Sequence, residues 1–117
     1  MAVIRTVTIA PGSDTGWHYH PAQVEAVLMA GVLTRVLEDG TVEITRPGQT
    51  LVELPEQVHI GYNLGSEPVV ILANYQVAEG CQLAFPATPP AAGLAAVAEL
   101  VGLPVQRRGG RQWLAAG

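Results

Sequence analysis

The chain carries three histidines, His18, His20 and His59, and each stands where a metal ion would use it. One residue separates His18 from His20. Side chains alternate along an extended strand, so both imidazoles face the same way, with Cα atoms roughly 6.6 Å apart. Rings at that spacing converge on a single ion. Glu25 follows past a turn at Pro21, with Gln23 between them. His59 lies on a later strand that a closed β-fold brings alongside. Neutral imidazole combined with carboxylate suits Fe, Mn, Co, Ni, Cu or Zn rather than Ca or Mg. A lone histidine is more often a core or surface residue. Three of them, with a carboxylate and bracketed by turn residues, point to a site.

The elements that must position these residues are strands. Val3, Arg5, Val7 and Ile9 alternate with Ile4, Thr6 and Thr8, a period-two pattern. Pro11-Gly12-Ser13-Asp14 breaks it, and Trp17 to His20 follows as a short strand. Val24 to Leu37 is a long β-prone run, with Gly31 inside it as a bulge or bend. Asp39-Gly40 marks a hairpin. Thr41 to Arg46, Thr50 to Leu54, Val58 to Leu64 and Val69 to Glu79 continue the series between turns rich in Pro and Gly. This rhythm predicts an all-β sandwich or barrel. After Gly80 the character changes. Pro86 to Pro90 reads as a linker, and Ala91 to Leu103 as a short amphipathic helix with Leu94, Val97, Ala98 and Val101 on one stripe. No internal repeat or low-complexity tract interrupts the chain.

Composition narrows the chemistry. The 117 residues suit one domain, and 49% hydrophobic against 14% charged residues suits a real core. Aromatics are only 5%, so Val, Leu, Ile and Ala must fill that core. The 13 Gly and 9 Pro favour short strands and many turns over a helical bundle. Six basic against ten acidic residues give a net charge of −4, and all the basic residues are Arg. Such a chain is a poor binder of nucleic acid, and without lysine it forms no Schiff base. One cysteine, Cys81, excludes an internal disulfide and a cysteine-based zinc cluster; it is expected to be buried and inert. The opening residues lack the apolar run of a signal peptide, and no stretch approaches a membrane span. The expectation is a soluble cytoplasmic protein.

With these motifs in hand, the chain resembles the cupin superfamily of small jelly-roll β-barrels. Gly12, five residues, His18-Tyr19-His20, four residues, Glu25 and then Gly31 follow the family's first motif. Gly48, Pro55, His59 and Asn63 follow its second, and Val32 to Pro47 separate the two. The resemblance covers roughly residues 3 to 80. It departs from the pattern in two places. Counting forward from His20 reaches Glu25, but counting back from Gly31 reaches Val24, which cannot ligate. A bulge would restore Glu25, and Gln23 is the neutral alternative. In the second motif Pro55 is one position late and the internal glycine is missing.

The resemblance implies a single-domain cupin jelly-roll barrel over residues 1–85 and a C-terminal arm with a short helix over 86–117. It implies one divalent transition metal per chain, held by His18, His20, Glu25 and His59, with open coordination positions as in catalytic rather than structural sites. The expected function is a metal-dependent enzyme on a small organic metabolite, foremost a dioxygenase-type oxidoreductase. A non-redox isomerase or lyase, and a non-catalytic binding or sensing module, are the alternatives. A homodimer is expected through exposed sheet edges and faces. Trp17, Tyr19 and Tyr62 are expected to pack, Asn63 to serve a turn and Met29 to fill core. Arg107, Arg108 and Arg111 form a basic, solvated tail.

Overall fold

The computed structural model describes residues 2–102, together with the backbone of residues 106–108 and 111–113. Two antiparallel sheets face each other as a jelly roll. The first has the strand order β1 (Val3–Ile9), β8 (Val69–Tyr75), β3 (Val24–Ala30), β6 (Thr50–Glu53). The second has the order β5 (Val42–Thr45), β4 (Leu33–Leu37), β7 (His59–Tyr62), β2 (His18–Tyr19), β9 (Phe85–Pro86). The helix α1 spans Ala91–Val101, and β10 (Gln106–Arg108) pairs with β11 (Arg111–Trp113). The side chains of the basic tail lie outside the described residues.

The long run from Val24 to Leu37 is two strands in different sheets. The chain changes sheet at Gly31, whose φ of +76° and close approach to Pro68 exclude a side chain: a Cβ there would stand 2.5 Å from the Pro68 carbonyl oxygen. A register shift between Leu28 and Ala30 accompanies the turn.

Alternation then sorts side chains. Ile9, Val24, Ala26, Leu28, Leu33, Leu51, Val69, Ile71 and Ala73 form the core between the sheets. All five residues of β4 are buried, because this strand is covered on both faces. Leu33 faces the inner core, while Val36 joins Ile60, Tyr62 and Val97 in a second cluster beneath α1. Trp17 packs there too, against Gly93, where a Cβ would collide with the indole ring. The helix is therefore the lid of this second core. The point where the sequence divides barrel from arm falls within β9, which pairs with β2.

Three local expectations are corrected. Met29 is on the outer face and 56% exposed, since it follows Leu28 on an alternating strand. Cys81 is exposed, in the loop beyond β8. The helix ends two residues earlier than expected, where Gly102 turns left-handed and its N–H donates to the carbonyls of Ala98 and Glu99.

Candidate metal centre

His18 and His59 are directly opposite each other in the β2–β7 ladder, with ring centroids 4.3 Å apart. His20, just past β2, sets its ring 4.9 Å from His18 and 5.2 Å from His59. One nitrogen from each ring lies within 4.8 Å of the others. His20 and His59 are buried, and His18 is half-buried.

Each ring is held the same way. The Nδ1 of His18 lies 2.8 Å from the Gly16 carbonyl oxygen, that of His20 2.8 Å from Leu83, and that of His59 2.9 Å from Gln57. A carbonyl only accepts, so each Nδ1 carries the proton and donates it. A neutral ring then has its lone pair on Nε2. This second-sphere arrangement fixes the orientation of metal-ligating histidines.

Glu25 is not brought to this cluster, and the reason is parity. Val24, Ala26 and Leu28 point inward, so Glu25 points out; it is exposed and its carboxylate accepts from the Gln23 amide at 3.2 Å. The register shift comes after Glu25 and does not re-aim it. Gln23 stays with Glu25 outside. The backward count to Val24 matches the inward position.

The inward carboxylate is Glu53, on β6, directly opposite Val24. Its Oε1 is 2.9 Å from His20 Nε2 and its Oε2 2.9 Å from His59 Nε2. The Arg35 guanidinium, 5% exposed, donates to Glu53 Oε2 at 3.2 Å and also pairs with Glu43. Sequence reasoning missed Glu53, although its signal was there: it shares the parity of buried Leu51, and Arg35 in an apolar strand demands a buried acid.

Burial opposes ionisation of Glu53, but the adjacent His20 and His59 outweigh it and hold the carboxyl well below its ordinary value. Burial lowers the His18 pKa. For His20 the same desolvation is outweighed by Glu53 and the Leu83 carbonyl, and the pKa rises. Both Nε2 atoms stand at hydrogen-bond distance from a Glu53 oxygen; in the neutral tautomer, with the ring proton on Nδ1, each meets acceptor with acceptor, and among the described residues no donor pairs with it. Buried nitrogens beside a carboxylate, with ring orientations set from behind, are the environment of a cation. The donor set of imidazoles and carboxylate fits a divalent transition metal.

A cavity of about 60 Å³ opens onto these groups. Val7, Ile9, Leu33 and Ile71 supply apolar wall, and Tyr75 lies 5.5 Å from His20 between ring centroids. Burial, then Glu53, raises the Tyr75 pKa, so its phenol remains a hydrogen-bond donor.

Asn63, as expected, serves the backbone. Fully buried, it donates to the carbonyls of Ile9 and Glu67 and accepts from the Gly65 N–H. Glu56 occupies the position of the motif's missing glycine, and keeps the left-handed turn with φ of 62°.

A fold of two facing sheets with a histidine cluster between them defines a double-stranded β-helix protein. The family model for the cupin domain matches residues 5–75, and the chain belongs to that family. A conserved protein from Klebsiella pneumoniae with a double-stranded β-helix domain is 26% identical, with a TM-score of 0.58 over 62% of this chain and 64% of that one. Oxalate decarboxylase of Bacillus subtilis, with Mn(II) centres, is 20% identical, with a TM-score of 0.63 over 73% of this chain and 23% of that one. An oxalate oxidase in complex with the substrate analogue glycolate is 23% identical, with a TM-score of 0.56 over 62% and 40%. The chain thus spans less than two thirds of the length of each. No curated protein matches the sequence. Among the described residues no helix is long and apolar enough to cross a membrane.

Proposed function

We propose that this cupin is a metal-dependent enzyme in which His18, His20 and His59 hold one divalent first-row transition ion and act on a small organic acid, as an oxidoreductase of dioxygenase type. The observation that carries this reading is the shared fixation of the three rings, each Nδ1 bound to a backbone carbonyl. When bound, a redox-active ion would supply a site for dioxygen beside a chelating substrate, and a redox-silent one a Lewis acid. The chain's own residues do the rest. The apolar wall excludes water, and the guanidinium of Arg35 holds the Glu53 carboxylate in place. The cavity volume is far below the ~300–1,000 Å³ of drug-sized pockets, which favours a substrate of few atoms.

Oxalate oxidase and oxalate decarboxylase both act on a small dicarboxylate, and their likeness in fold supports this substrate class. The decarboxylase also supports a second reading, a lyase that cleaves an acid without net oxidation. Elemental analysis of the purified chain, followed by a screen of small carboxylates, tests both. About one metal per chain and metal-dependent oxygen uptake support the oxidoreductase. Substrate loss without oxygen uptake supports the lyase. Absence of metal after expression in supplemented medium, and of binding on titration, overturns the enzyme reading.

A further inference from the structure

We propose that Glu53 is the fourth protein ligand of this centre, the carboxylate having crossed from β3 to the facing position on β6. The inference rests on the metal-binding reading above and adds a residue that the sequence motif does not contain.

Three observations carry it. First, the motif's inward slot on β3 is filled by Val24, and the residue paired with Val24 across the ladder is Glu53. Facing residues on one side of a sheet have Cβ atoms only ~4.5–5.5 Å apart. A carboxylate can therefore move between the two strands and still reach the same volume. Second, both Glu53 oxygens are 2.9 Å from Nε2 atoms that, with the ring proton held on Nδ1, present a lone pair and no proton to the carboxylate. Donors at right angles on one ion, each ~2.0–2.1 Å from it, stand about 2.9 Å apart, so the spacing is that of neighbouring ligands. Third, Arg35 grips Glu53 from behind and is itself tied to Glu43. That places a positioning partner behind the carboxylate, as the carbonyls stand behind the histidines.

Glu25 offers the internal control. It is the carboxylate that counting forward from His20 selects, yet it lies on the opposite face.

The test is metal affinity, measured by competing a chromophoric chelator against the stripped chain reloaded with Co2+. Glu53→Gln is expected to weaken binding by about 10–100-fold or more, since removal of even a supporting partner costs that much. Glu25→Gln is expected to leave affinity unchanged. The exchange V24E/E53V, which returns the carboxylate to β3, is expected to recover most of the loss. Should Glu53→Gln fail to fold because Arg35 loses its buried partner and keeps only the half-exposed Glu43, R35M/E53Q removes both buried charges and gives the same comparison. Wild-type binding with unchanged affinity in the folded Glu53 variant overturns this assignment and leaves the three-histidine site standing. Failure of the wild type to bind overturns the metal reading itself.

Discussion

The β3–β6 pair presents two carboxylates on its two faces, and their fates differ completely. On the inner face Val24 stands opposite Glu53; on the outer face Glu25 stands opposite Val52. The same two residue types are exchanged across the same two rungs. Inside, Glu53 is enclosed by His20, His59 and Arg35 and stays ionised against the cost of burial. Outside, Glu25 touches the Gln23 amide and water-facing surface. What separates a prospective metal ligand from a solvated side chain is one step along the strand, because neighbouring side chains leave a strand in opposite directions.

The largest expected effect comes from emptying the inner face. His18→Ala, His20→Ala and His59→Ala should each reduce metal content of the purified chain far below stoichiometric, as elemental analysis will show. Substitution of Gln23 on the outer side should leave metal content unchanged. Equal losses on both faces would break the contrast.

Next in size is stability without metal. Arg35→Met takes the guanidinium from Glu53 and leaves it only His20 and His59, and breaking a buried pair costs up to about 3–5 kcal/mol. Glu25→Gln, at the surface, should stay within about 0.5 kcal/mol. Urea unfolding of stripped protein measures both, and similar midpoints would show the two acids to be equivalent.

The outer face also sharpens the comparison through assembly. Ile4, Val52 and Leu72 are 60%, 47% and 40% exposed on the outside of the four-stranded sheet. We propose that a second copy covers this face in a homodimer. Light scattering should give twice the monomer's 12.3 kDa at micromolar concentration, and Leu72→Glu should halve that mass while leaving metal binding intact. A wild-type mass near that of the monomer counts against it.

The smallest effect concerns the far side of β7, beneath α1. Burial, and then Asp14, push the Tyr62 phenol up to about 12. Its neutral form is favoured by folding, so its stabilising contribution is complete below the unfolded value near 10 and is lost as pH rises through about 12. Ultraviolet absorbance should show this ionisation missing from Tyr62→Phe. A wild-type tyrosine titration complete by pH 11 would contradict the burial argument.

Much of the protein was legible in its residues. Period-two alternation located the strands, turn residues separated them, and two spaced motifs identified the cupin family and the three histidines that converge. These are local properties: a strand's alternation and a turn's glycine act within a few residues. The expected carboxylate failed because it required knowing the face of β3 on the far side of a proline turn, where the count from His20 loses register. The backward count from Gly31 reaches the inward position, Val24, without crossing that proline turn. Parity with Leu51 turns Glu53 inward, but no local reading places it beside the histidines. It belongs to the site because β6 pairs with β3 in one register and because β4, from the other sheet, brings Arg35 behind it. Sequence determined which side chains alternate and which turn; pairing of distant strands decided which acid faces the histidines, since a ligand set is a meeting of side chains in space and not an interval along the chain.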